Sequence, residues 1–136
     1  VDLLSFPAIG SRRRFFDHAE AELASQALSS LEADVAPLLS LEGFSRIRLL
    51  SSLRKEVVIA KKFGVPVVIS SGATDIHLIR GPYDCAALAS LFDMAVPLAL
   101  RALSEAPLTI VEQNRGKLSS DFVAPGIRLV RRKKVV

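Results

Sequence analysis

The spacing of apolar and polar positions divides the chain into short buried strands and longer helices. Val1–Phe6 is an apolar run closed by Pro7, which predicts a buried strand. Gly10 and Ser11 mark a loop, and Arg12, Arg13 and Arg14 stand just before a helical pattern. Phe15, Phe16, Ala19, Leu23, Ala24 and Ala27 recur at helical spacing, with Asp17, Glu20 and Glu22 where acids complement the helix dipole. Leu31–Val35 reads as a second strand, with Pro37 preventing its continuation. From Arg46 to Phe63 the pattern is strongly helical: Ile47, Leu50, Leu53, Val57, Ala60 and Phe63 step by three or four. Arg48, Arg54, Lys55, Lys61 and Lys62 line the other face, Ser45 is the expected N-cap, and Gly64 sits where a C-terminal cap belongs. Val65–Ser70 is a third strand, continuously apolar as a parallel strand buried on both faces should be, and Ser71-Gly72 ends it. Gly81-Pro82 opens a helix with Ala86, Leu88, Ala89, Leu91 and Phe92 on its apolar side. A separate helix is expected from about Pro97 to Leu103, and Pro107 is expected to open a last one reaching about Lys117. Ser119 to Val136 reads as loop and tail, with Gly126–Val130 extended.

Strands alternating with helices imply a parallel sheet with right-handed crossovers, an α/β fold. Three such strands leave faces and edges uncovered, whereas a closed (β/α) barrel has eight strands and about 250 residues. The chain is therefore expected to be part of a larger sheet, completed by an upstream segment or by another chain. Residues 1–125 form the barrel-like part, and 126–136 form a basic tail.

Composition sharpens this picture. With 136 residues, half of them hydrophobic, the chain suits one packed domain. No apolar run approaches the roughly 20 residues of a membrane helix, and the start, Val1-Asp2-Leu3-Leu4, has no basic region followed by a long apolar stretch, so it is not expected to be a signal peptide. A lone Cys85 excludes an internal disulfide and a cysteine zinc cluster, which implies a reducing, cytoplasmic setting. The net charge of +4 is uneven: Arg128, Arg131, Arg132, Lys133 and Lys134 crowd the tail. Without those five, 13 basic residues face 14 acidic ones, so the excess sits on the tail and points to a polyanion partner.

Candidate chemistry is sparse. His18 and His77 fall in different βα units and belong to no metal-binding motif, so no metal or other cofactor is expected. Cys85 lies among Ala86, Ala87 and Leu88 and reads as structural. Ser70-Ser71-Gly72-Ala73 is a small, hydroxyl-rich turn after a strand; it would either offer backbone N–H groups to an anion or serve as a tight connection. Cations cluster at Arg12–Arg14, along the helix bearing Arg46, Arg48 and Lys62, at Arg80, at Arg115 and Lys117, and in the tail. Phosphate contacts need little more than such charge. Aromatic residues are few, so base stacking on a sheet is not indicated.

These motifs resemble a known family. Arg46-x-x-Leu49-Leu50-x-x-Leu53-Arg54-x-Glu56, Lys62-Phe63-Gly64-Val65-Pro66-Val67-Val68-Ile69-Ser70-Ser71-Gly72-Ala73 and Arg80-x-Pro82-Tyr83-Asp84 resemble ribonuclease P protein component 3. So do Ile110-Val111-Glu112-x-Asn114-Arg115-x-Lys117-Leu118 and Ala124-Pro125-Gly126-Ile127-Arg128. The resemblance spans essentially the whole chain. It implies a TIM-like barrel related to metal-dependent PHP hydrolases but without their metal ligands. It further implies a protein subunit of the RNA-based enzyme that removes the 5′ leader from precursor tRNA. In that enzyme the RNA does the chemistry, and the protein pairs with ribonuclease P protein component 2. The sequence style is archaeal. RNA contacts are then expected from Arg12, Arg13, Arg14, Arg46, Arg48, Lys62, Ser70, Ser71, Arg80, Arg115, Lys117, Arg128, Arg131 and Arg132, with no catalytic residue on this chain. Family members carry further βα units ahead of the strand equivalent to Val1–Phe6, and Cys85 stands where they more often have an aliphatic residue. The alternatives are a PHP-like metal-dependent barrel hydrolase with its ligands in an N-terminal segment, and a barrel that binds a small phosphate ligand at Ser70–Ala73.

Overall fold

The computed structural model describes residues 1–6, 16–124 and 126–130. Three short strands, β1 (Leu3–Ser5), β2 (Ser30–Asp34) and β3 (Val67–Ser70), pair in parallel in the order of the sequence. Helix α1 (His18–Gln26) connects β1 to β2, and α2 (Ala36–Ser40) with α3 (Gly43–Phe63) connects β2 to β3. A 3-10 turn at Ile76–Leu78, α4 (Pro82–Ser90) and α5 (Val96–Lys117) follow. The protein is thus a mixed α/β fold with a parallel sheet. Among the described residues the sheet stops at three strands and no closed barrel forms.

A sheet whose spatial order follows its sequence order, joined by right-handed crossovers, carries its helices on one face. The register aligns Leu4 with Leu31, Leu31 with Val67, and Ala33 with Ile69. Side chains alternate across a strand, so these residues share that face. Leu31 packs there with Phe16, Ala21, Ala24, Ala60 and Val65. Ala33 and Ile69 pack with Leu49, Leu53, Cys85, Phe92, Ala99 and Ala102. The opposite face carries Leu3, Ser5, Ser30, Glu32, Asp34, Val68 and Ser70 and is mostly polar. Burial on both faces, expected from β3 alone, therefore does not extend across the sheet, because β2 alternates Leu31 and Ala33 with Glu32 and Asp34.

Local chemistry explains most boundaries. Asp17 caps α1, accepting from the N–H groups of Ala19 (2.9 Å) and Glu20 (3.1 Å). Gly64 ends α3 at φ 68°, a left-handed conformation that costs glycine little. The expected Ser45 cap is not used. Only two residues separate α2 from α3, so the helix begins at Gly43 with Glu42 in the N-cap position, and Ser45 falls inside its first turn. Pro37 ends β2 as expected but does so by entering α2, a helix too short for periodicity to register.

The two helices expected around Pro107 are one continuous helix. An interior proline removes a backbone donor and costs about 3 kcal/mol. Tertiary contacts outweigh this: α5 packs on β3 and α4, and its last turn is tied to the chain start by Asn114 Nδ2 and Lys117 Nζ, 3.1 and 3.4 Å from the Asp2 carboxylate. The segment expected as loop contains β4 (Phe122–Ala124) and β5 (Ile127–Arg128), an antiparallel pair extended by Leu129 N–H donating to Asp121 O at 2.7 Å. Among the described residues no helix is long and apolar enough to cross a membrane.

Two stability measurements check this core. Leu53 is 1% exposed, and Leu53→Ala is expected to lower unfolding stability in urea by about 2–5 kcal/mol. Leu23→Ala, at a 65% exposed position, should stay within about 0.5 kcal/mol; equal losses would contradict the packing. Gly72 has φ 55°, and a Cβ there would lie 2.7 Å from Asp34 Cβ. Gly72→Ala is accordingly expected to cost roughly 1 kcal/mol or more, and an unchanged melting temperature would show that this turn is free to shift.

Candidate nucleic-acid interface

The parallel sheet sorts the sequence-predicted contact residues into two groups, one at each end of the strands. At the carboxyl ends lies the turn after β3. Its serines are held from within the fold: Ser70 Oγ donates to the Asp34 carboxylate, and Ser71 Oγ accepts from Ala73 N–H at 3.4 Å. Ser70 O and Ser71 O accept from Val35 N–H (3.1 Å) and Ala36 N–H (2.8 Å), locking the end of β3 onto the end of β2. Gly72 then passes against Asp34 where no side chain fits. The small residues of this turn thus answer a close approach of two backbones.

Arginines frame that edge. Arg46, in the first turn of α3, donates from Nε to Leu41 O at 2.6 Å. Arg80 donates from one terminal nitrogen to His77 O (2.7 Å) and Ile79 O (2.8 Å). Each guanidinium keeps further N–H donors in its rigid fork, so both are pre-oriented for an oxyanion. Arg48 is exposed on α3. Five large apolar side chains, Phe44, Ile47, Ile76, Ile79 and Tyr83, stand exposed on the elements at this edge. Residue-by-residue charge reading gave no sign of them as a group, because they come from three separate elements. Beside Arg80, Cys85 is buried; burial pushes its thiol up, and Sγ lies 3.7 Å from Arg80 O, the position of a structural cysteine.

The second group lies at the amino ends of the strands. Lys62, near the end of α3, sits 5.7 Å from the Phe63 ring centre. Sixteen residues of helix separate it from Arg46, about 24 Å, so the two cannot share a phosphate. The last turn of α5 carries Arg115 and Lys117 on different sides of the helix, and β5 lays Arg128 over Gly116, where its guanidinium would stand 3.6 Å from a Cβ. Lys117 Nζ is 3.4 Å from Asp2 Oδ1 and 3.0 Å from Asn114 Oδ1, and Asn114 Nδ2 donates to Asp2 Oδ2 at 3.1 Å. The Asn114 hydrogen bond, then the one from Lys117, hold the Asp2 carboxyl below its usual range. No local pattern announces Asp2, which meets its partners across 112 and 115 residues of chain. Arg12, Arg13, Arg14, Arg131 and Arg132 lie outside the described residues.

A cleft of about 520 Å³ opens elsewhere, between α3, the start of β3 and α5. Val57, Val65, Val67, Leu98 and Ala102 line it, and none of Ser70–Ala73 reaches it. Among the described residues no three His, Cys, Asp or Glu side chains gather as a metal site.

Comparison with known proteins gives this geometry a context. The family model for the RNase P subunit p30 matches residues 1–119. Ribonuclease P protein component 3 of Methanocaldococcus jannaschii is 33% identical over 98% of this chain and 57% of its own length. The protein of the same name from Methanococcoides burtonii is 32% identical over 95% of this chain and 52% of its own length. A chain in a cryo-EM structure of archaeal ribonuclease P with mature tRNA superposes with a TM-score of 0.80 at 32% identity. It covers 98% of this chain, which in turn covers 57% of it. The chain therefore spans about half the length of the relatives it matches. By the extent of the family match and the agreement in fold, it belongs to the RNase P subunit p30 family.

Proposed function

We propose that this chain acts as a protein subunit of ribonuclease P, assisting a catalytic RNA in removing the 5′ leader from precursor tRNA. The observation that carries the reading is the superposition of almost the whole chain on a chain of archaeal ribonuclease P with mature tRNA. In this reading the RNA does the chemistry and the chain contributes no catalytic residue. Its partners are the ribonuclease P RNA, precursor tRNA through the complex, and ribonuclease P protein component 2, in the cytoplasm.

The sheet supports a partial TIM-like barrel. Its helices cover one face and its strand order runs with the sequence, as in one arc of a singly wound barrel. Another segment or another chain supplies the remaining strands. Residues 1–125 are the barrel part and 126–136 the basic stretch, whose Ile127–Arg128 pair with Phe122–Ala124 as β5. RNA is gripped through its backbone. Arg46, Arg48 and Arg80, beside the turn of Ser70 and Ser71, serve one end of the sheet, and Lys62, Arg115 and Arg128 serve the other, where Lys117 is already engaged by Asp2. Arg12, Arg13, Arg14, Arg131 and Arg132 add charge at positions set by the sequence.

Reconstitution tests the assignment. Cleavage of precursor tRNA by ribonuclease P RNA with its full protein set should fall when this chain is omitted, and the chain freed of RNA should not cleave. Cleavage at the mature 5′ end by the protein alone would overturn the reading, as would full activity without it. A salt series tests the interface. Each phosphate contact adds roughly 0.7–0.9 to the slope of log affinity against log salt. Truncation after Pro125 removes five cations and should reduce that slope by several units, similarly for unrelated RNA sequences. Arg115→Ala should reduce it by about one contact. An unchanged slope and intact activity after truncation would move the interface onto α3.

A further inference from the structure

Lys117 carries a charge suited to phosphate, yet in the folded chain that charge is already engaged. Asp2 Oδ1 lies 3.4 Å from Lys117 Nζ, with the two side chains 50% and 48% exposed. The carboxylate cannot swing aside freely, because Asn114 Nδ2 holds its other oxygen and Asn114 Oδ1 in turn accepts from Lys117. The three groups close a triangle between the start of β1 and the last turn of α5. Among the described residues, Arg115 and Arg128 form no ion pair with an acid.

We infer that Asp2 is a positioning residue that withholds Lys117 from RNA phosphate, leaving the contacts at this end of the sheet to Arg115 and Arg128. The inference rests on the RNA-binding reading above and refines it. A phosphate approaching Lys117 must displace the carboxylate and then remain beside its negative charge. A half-exposed ion pair is itself weak, so the obstacle is this nearby charge, fixed by Asn114, as much as the bond to be broken. The guanidinium groups of Arg115 and Arg128 offer several donors each, and among the described residues no ion pair with an acid engages them. Asp2 thus limits how tightly this end binds any polyanion. That favours RNA whose phosphates match the arginines over RNA attracted by charge alone.

Asp2→Asn separates this role from simple bracing, because the amide keeps an oxygen for Asn114 while losing the charge. On fluorescently labelled ribonuclease P RNA, the full chain carrying D2N should bind about two- to fivefold tighter at low salt, the range set by a half-exposed ion pair. Its salt slope should steepen by one contact, about 0.7–0.9. Lys117→Ala alone should leave the slope at its original value, and added to D2N it should return the steeper slope to that value. A purely structural clamp would lower the melting temperature in D2N and K117A alike without moving either slope. If D2N does not fold, K117A still decides, since a slope reduced by one contact in that single variant overturns the inference. An unchanged D2N slope together with a reduced slope in Arg115→Ala also overturns it and spares the interface. No slope change in Arg115→Ala or Arg128→Ala overturns the interface itself.

Discussion

The structure depends on one arrangement: an apolar sheet face of Leu4, Leu31, Ala33, Val67 and Ile69 buried under helices that all come from the same side. That burial supplies the hydrophobic stabilisation that orders β1, β2 and β3, because the strands are too short to hold together by their ladders alone. It also fixes where everything else goes. The turns at the carboxyl ends of the strands and the helix termini at their amino ends become two separate cation-bearing surfaces, the first also exposing Phe44, Ile47, Ile76, Ile79 and Tyr83. The reverse face of the sheet carries Ser5, Glu32, Asp34 and Ser70.

Much of this was legible in the sequence because its causes are local. The 3.6-residue apolar period of α3, the glycine that ends it and the proline that opens α4 each act within a few residues of the element they shape. The features that escaped a linear reading depend on distant partners. Pro107 looked like a boundary because proline is a poor interior helix residue, but the packing of α5 on β3 and α4 keeps the helix continuous. β3 buries Val68 and Ile69 on opposite faces, but its composition says nothing of the alternation in β2. The Asp2 clamp was invisible because its partners lie more than a hundred residues away.

The candidate site was legible as charge and not as geometry. Composition identified the cations, and resemblance to ribonuclease P protein component 3 gave them a role in binding RNA. Only the fold separates Arg46 and Arg80, braced by backbone carbonyls at one end of the sheet, from Arg115 and Arg128 at the other. Ser70 and Ser71, which an anion-binding turn would present outward, are held by Asp34 and by the neighbouring strand end. The chain spans about half the length of the relatives it matches.

The account turns on the chain working against RNA inside a ribonucleoprotein. Ultraviolet cross-linking in intact host cells, followed by sequencing of the attached RNA and mapping of the attached peptides, tests this most directly. The account predicts ribonuclease P RNA as the dominant cross-linked species, with attachment points on the last turn of α5, on β5 and at the arginines beside the β3 turn. Recovery of the folded chain without that RNA, or cross-links confined to the apolar helix surfaces, would contradict it.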